Sequence, residues 1–285
     1  MKHTCAEFAP AKPFLVCVDS DGCAMDTMNI KHFRCFGPCM VAEWKLEAWQ
    51  EPILKRWNEI NLFTMTRGIN RFKGLALALT EINTEYCPIE DVEVLADWAE
   101  HAPELSNGAL EKEAERTGKK VLWKALHWSQ AVNASITKLP QSEKKPFAGV
   151  AEGLKALHEA ADVAVVSSAN RDAVVEEWQL YGLLESVDVL LCQDSGSKAH
   201  CIAELKKKGY AADHILMVGD APGDCTAARK NGVYFYPILV NREEESWNEL
   251  RQTAIHKLTE GQYAAYETRK EAEFMDNLKG EKNHG

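Results

Sequence analysis

Five short apolar runs constrain this chain more than any other feature. They are FLVCV (14–18), VAVV (163–166), VDVLL (187–191), HILMV (214–218) and YFYPI (234–238). Between the later runs lie helical patterns: AGVAEGLKALHEA (148–160), with Val150, Leu154 and Leu157 on one face, RDAVVEEWQLYGL (171–183), SKAHCIAELKKKG (197–209) and DCTAARKNG (224–232). The last two close on glycine, a helix stop. Strands that are apolar on both sides and alternate with helices form parallel βαβ units, with the sheet covered on both faces. The expected fold class is α/β, a doubly wound parallel sheet.

The segment between the first and second runs reads differently. CMVAEWKLEAWQEPILKRWNEI, INRFKGLALALTEI and LEKEAERTGKKVLWKALHWSQAVNASI are helical in pattern, and no convincing strand interrupts them. The chain returns through the Pro- and Lys-rich LPQSEKKPF, which marks a boundary. The domain expectation is an α/β core from 1–26 and 146–240, an inserted helical cap over 27–145, and a helical extension over 241–285 packed on the core and ending in a frayed GEKNHG. Trp44, Trp49 and Trp57 recur at helix-like spacing and read as cap core.

A chain of 285 residues can bury one sizeable domain and a smaller one. Its net charge of −10 argues against a nucleic-acid groove or an anionic membrane surface as partner. A small anionic substrate stays open, because a local cation inverts the field at a site. No apolar run approaches the roughly 18 residues of a membrane span, and the N-terminal stretch has no apolar signal core. Nine scattered cysteines, with Cys17 and Cys192 inside strand-like runs, indicate a reduced, cytoplasmic protein. Cys35 and Cys39 have three residues between them and no second pair, so they read as free thiols in a loop.

Parallel α/β sheets place ligands beyond the carboxyl ends of their strands. Asp19, Asp21 and Gly22 follow the first run, Ser167, Ser168 and Asn170 the second. Lys198 comes shortly after the third, and Gly219, Asp220 and Asp224 follow the fourth. A carboxylate such as Asp19 can attack phosphorus and divide one hard transfer into two easier ones. Asp21, two residues on, can protonate a leaving oxygen and then activate water. Gly22 permits the turn that brings both into the mouth. Clustered acids need compensation, which Mg²⁺ supplies; Asp19, Asp21, Asp220 and Asp224 form the candidate metal set, with Asp224 acting either through water or as a support for Lys198. Lys198 and the Ser167 hydroxyl can hold phosphoryl oxygens, and the N–H groups of Ser168 and Ala169 can cradle them at a helix start.

At this point the sequence resembles the haloacid dehalogenase superfamily of phosphatases and phosphotransferases. DSDG (19–22), VVSSAN (165–170), Lys198 and GDAPGD (219–224) look like its four motifs in order, spanning the whole core. The second aspartate, absent from the true dehalogenases, implies phosphoryl chemistry. The helical insertion is similar to the cap of the branch containing phosphoglycolate phosphatase and β-phosphoglucomutase, in which an Asp-Thr pair matches Asp26 and Thr27. In that branch a cap loop like RGINR (67–71) grips the distal part of the substrate, which makes Thr27, Arg67, Gly68 and Arg71 candidate substrate residues; an ordinary loop with two solvated arginines is the alternative. The mutase pattern has Glu-Asp where this chain has Gly219-Asp220, and lacks the later aspartate matched by Asp224. The resemblance therefore implies a Mg²⁺-dependent phosphatase of a small phosphorylated metabolite, a monomer or homodimer, with a phosphomutase as the rival and a non-catalytic binding protein behind it.

Overall fold

The computed structural model describes Lys2 and residues 4–279; the terminal GEKNHG lies outside them. Two compact units emerge, one made of the chain up to Met28 together with the chain from Gln141 onward, the other of Asn29–Pro140.

The first unit is built on β1 (Leu15–Val18), β4 (Asp162–Val166), β5 (Val189–Leu191), β6 (Ile215–Gly219) and β7 (Tyr234–Pro237), in the order β5-β4-β1-β6-β7 with every pairing parallel. The short β2 (Met25–Asp26) and β3 (Lys145–Pro146) form a separate antiparallel ribbon. Asp26 lies in that ribbon, opposite Lys145. In register, Val18 sits opposite both Val165 and Val218. The next row is Asp19, Val166 and Gly219, so Ser167 and Asp220 leave the sheet one residue beyond the level of Asp19.

β1 is buried along its whole length, which is why it is apolar without alternation. Val16, Val18, Val163, Val165, Leu216 and Val218 join one core with the helices Val150–Ala160 and Arg171–Leu180 and with Trp247 beyond β7. Leu15, Cys17, Ala164 and Met217 point the other way, toward the helices Lys198–Lys206 and Pro222–Asn231.

The 17-residue helix Tyr263–Lys279 covers the edge strand β7. Glu267 accepts the Phe235 N–H at 2.7 Å, the Tyr263 hydroxyl donates to the Phe235 carbonyl at 3.1 Å, and the Asn277 amide brackets Val240 at 3.0 and 3.1 Å. Side chains thus take the hydrogen-bonding role of a missing neighbour strand. Lys270 is buried in this helix and lies between Glu249 (2.7 Å) and Glu273 (2.6 Å).

The second unit is helical, with a core that includes Phe36, Trp44, Trp57, Phe72, Trp98 and Trp128. Trp49 departs from expectation: it is 36% exposed, in a short 3₁₀ turn at the surface against Tyr86. Among the described residues no helix is long and apolar enough to cross a membrane.

Candidate active site

Beyond β1 the chain turns back on itself. The Asp19 N–H still bonds to Val218 at 3.0 Å, extending the ladder by one residue. The Ser20 carbonyl then accepts three N–H groups, from Cys23 (3.3 Å), Ala24 (3.0 Å) and Met25 (2.8 Å). Gly22 lies at φ 83°, in the left-handed region that favours glycine. The fold-back leaves Asp21 with its carboxylate on Thr27, whose hydroxyl donates to Asp21 Oδ1 at 2.5 Å. Thr27 is fully buried, so it serves Asp21 directly.

Lys198 opens the helix Lys198–Lys206, which Ser197 caps through the His200 N–H. Its Nζ lies 2.9 Å from Asp19 and 2.5 Å from Asp224. The second Asp224 oxygen accepts the Ala221 N–H at 3.1 Å, so the carboxylate caps its own helix and holds Lys198 together. Oxygens of Asp19, Asp220 and Asp224 all lie within 4.8 Å of one another, and all three residues are buried. The Asp21 carboxylate is outside this group.

Burial pushes the Asp19 carboxyl well above the usual carboxylate range; Lys198 opposes the shift, and Asp224 and Asp220 add to it. Burial also disfavours the charge on Lys198, but Asp19 and Asp224 outweigh it and hold the ammonium above the ordinary lysine range. Three carboxylates against one ammonium leave two negative charges when all are ionised. A buried, all-oxygen donor set with that excess suits a hard divalent cation such as Mg²⁺.

Ser167 follows β4 and is buried. Its Oγ accepts the Ala169 N–H at 3.1 Å, so that N–H is used within the loop and does not offer itself to phosphate as expected. Asn170 caps the helix Arg171–Leu180 through the N–H groups of Asp172 and Ala173. Ser168 stays exposed.

The RGINR residues belong to the helical unit, and neither arginine is simply solvated. Arg67 is buried and donates to the Leu62 carbonyl at 2.7 Å, closing the end of the turn Glu59–Phe63. Arg71 reaches Ser129 Oγ at 3.0 Å and Asn133 Oδ1 at 2.8 Å, with its guanidinium 5.1 Å from the Phe36 ring centre. Gly68 sits at φ 69° on the surface between them.

Sequence reasoning missed two residues around the turn that carries Asp19 and Asp21. Trp178 Nε1–H donates to Ser20 Oγ at 2.9 Å, and Trp247 Nε1–H donates to the Cys23 carbonyl at 2.9 Å. The available signal was a glycine in mid-helix, Gly153, where a Cβ would lie 2.5 Å from the Trp247 ring.

A parallel α/β core carrying aspartates, a serine and a lysine at one sheet edge defines a hydrolase-like class. The family model for haloacid dehalogenase-like hydrolases matches residues 93–238, just over half of the chain, and the chain belongs to that family. No curated protein matches the sequence. Among solved structures, a candidate phosphoglycolate phosphatase from Lactobacillus delbrueckii subsp. bulgaricus is similar at TM-score 0.52 and 16% identity, over 89% of this chain and 99% of that one. A candidate β-phosphoglucomutase from Thermotoga maritima aligns at TM-score 0.46 and 14% identity, over 79% and 84%. A Bacillus subtilis hydrolase of the same superfamily, described as bound to magnesium, aligns at TM-score 0.47 and 12% identity, over 79% and 86%. At these identities the likeness is one of fold.

Proposed function

We propose that the protein is a Mg²⁺-dependent phosphomonoester hydrolase of a small metabolite, working through an aspartyl-phosphate on Asp19. The carrying observation is the pairing of Asp19 with Lys198 at 2.9 Å inside the buried group that includes Asp220 and Asp224. An Asp19 oxygen attacks phosphorus, and the bond to the leaving alkoxide breaks. Asp21, oriented by Thr27, delivers its proton to that alkoxide and then takes one from the water that hydrolyses the acyl-phosphate. Lys198 and the Ser167 hydroxyl face the equatorial oxygens; with the Ala169 N–H bonded to Ser167 Oγ, the hydroxyl proton is left to donate. Asp19, Asp220 and Asp224 would hold Mg²⁺, which supplies charge neutralisation for the carboxylates and the phosphoryl group.

In the helical unit, Arg71 is the proposed selector of the leaving group, with Gly68 beside it and Arg67 shaping the loop from within. The substrate is a small phosphorylated metabolite in a cytoplasmic setting, with no nucleic-acid or membrane partner, handled by a monomer or homodimer. Gly219 and Asp224 favour the hydrolase over the mutase reading, since the glutamate of the mutase pattern has no room beside Asp224. The test is phosphate release from an aryl phosphate with Mg²⁺, compared between the native protein and Asp19→Asn. Unchanged release from the variant sinks the reading.

A further inference from the structure

We propose that Trp178 and Trp247 are positioning residues for the turn that carries Asp19 and Asp21, an inference that rests on the reading of those aspartates given above. The turn has few internal ties to the sheet. Its carbonyl at Ser20 gathers three N–H groups of the turn itself, and its backbone ties outside the turn are the Asp19 N–H to the Val218 carbonyl at 3.0 Å and the Phe147 N–H to the Ala24 carbonyl at 3.0 Å. Two side-chain donors add further ties at separate points. Trp178 Nε1–H meets Ser20 Oγ, on the residue between the two aspartates, and Trp247 Nε1–H meets the Cys23 carbonyl, two residues beyond Asp21. Both indoles are fully buried, so neither bond competes with water.

The surroundings are shaped for these indoles. The helix Val150–Ala160 has Gly153 where any side chain would strike Trp247, and a Cβ added at Gly149, at φ 84°, would lie 3.4 Å from the Trp247 Cβ. Trp247 itself is anchored by its neighbour: the Ser246 carbonyl accepts the Tyr236 hydroxyl at 2.8 Å, and Ser246 Oγ accepts the Leu239 N–H at 3.0 Å. Trp178 stands on the helix that begins just after Ser167. Each indole thereby ties the aspartate turn to a different part of the fold, one to the Ser167 loop and one to the segment after β7. The C-terminal extension becomes part of the reacting apparatus.

The test uses the full chain with an aryl phosphate, measuring kcat and KM at saturating Mg²⁺ together with the thermal midpoint. Trp178→Phe and Trp247→Phe are each expected to lower kcat about tenfold with KM within twofold, as small misplacements of reacting groups do. Ser20→Ala removes the Trp178 bond without opening a large cavity and should match Trp178→Phe. The double variant should be no slower than the slower single, because both remove one interaction. Gly153→Ala, which keeps the indole N–H but displaces the ring, should also lower kcat. Native kcat in both tryptophan variants, lowered stability alone, or additive losses in the Ser20–Trp178 cycle overturns the proposal. Should the native protein release no phosphate at all, the reading of the site fails, and Mg²⁺ binding by calorimetry decides the positioning role. Affinity weakened severalfold in both tryptophan variants supports it, and unchanged affinity overturns it.

Discussion

Gly219 and Asp224 share one space. A Cβ at position 219 would lie 2.4 Å from the Asp224 carboxyl carbon, because that carboxylate folds back over the end of β6 to reach Ala221 and Lys198. Gly219→Ala is therefore expected to displace Asp224 from Lys198, leaving the ammonium with Asp19 alone of its two carboxylate partners. Overpacking of this kind costs about 1–3 kcal/mol, and kcat should fall at least tenfold. Urea unfolding and steady-state kinetics check both parts. A variant with native kcat would mean that Asp224 does not hold Lys198 for the reaction.

Asp19→Asn keeps the size of the side chain and removes the nucleophile. Phosphate release is expected to fall by at least about a thousandfold, since the covalent route is closed. A radiolabelled phosphoryl group trapped on the native protein, and absent from the variant, identifies the intermediate.

The raised Asp19 carboxyl predicts a pH dependence of metal-free stability. Its folded-state pKa lies above the unfolded value of about 4. The stability from its protonated form is thus fully present below that unfolded value and is lost as pH rises through the higher folded one. Mg²⁺ favours the ionised carboxylate, so its stabilisation should grow over the same window, reaching about 2.7 kcal/mol at a concentration a hundred times its dissociation constant. Thermal melts at pH 5 and pH 8, with EDTA and with Mg²⁺, should show a larger metal-induced rise at pH 8. Equal rises at both pH values would remove Asp19 from the metal site.

Two arginines four positions apart should behave differently. Arg67→Ala leaves the Leu62 carbonyl without its buried partner and is expected to cost about 1–3 kcal/mol of stability. Arg71→Ala should leave the aryl phosphate reaction near native and raise KM for metabolites with a polyhydroxyl or anionic leaving group. A panel of sugar phosphates, run beside urea melts, separates the two effects.

Lys270 is buried between Glu249 and Glu273, whose side chains are about a third exposed. Removing the ammonium by Lys270→Ala leaves two facing carboxylates. With partners that are partly solvated, the loss should fall at the low end for a broken buried pair, about 3 kcal/mol. Lys270→Met, which keeps the packing, should recover part of it. Chemical denaturation of both variants is the measure.

The apolar runs at 14–18, 163–166, 187–191, 214–218 and 234–238 determined the parallel sheet, because strands buried on both faces are largely apolar. Their carboxyl-end residues Asp19, Ser167 and Asp220, with Lys198 and Asp224 from the following helices, were legible for the same reason: strand polarity alone places them at one edge. Their separations were not. That Asp224 binds both Lys198 and Ala221, that Thr27 holds Asp21, and that Ala169 spends its N–H on Ser167 depend on side-chain directions set by packing. Trp49 turned outward and Arg67 inward against the local pattern, since burial is decided by which elements meet and not by spacing along one helix. Trp178 and Trp247 reach the aspartate turn across 158 and 224 residues of sequence. Periodicity carries no information at that range. The sequence by itself determined which chemical groups stand at the sheet edge; only the tertiary structure decided which of them touch and what holds them there.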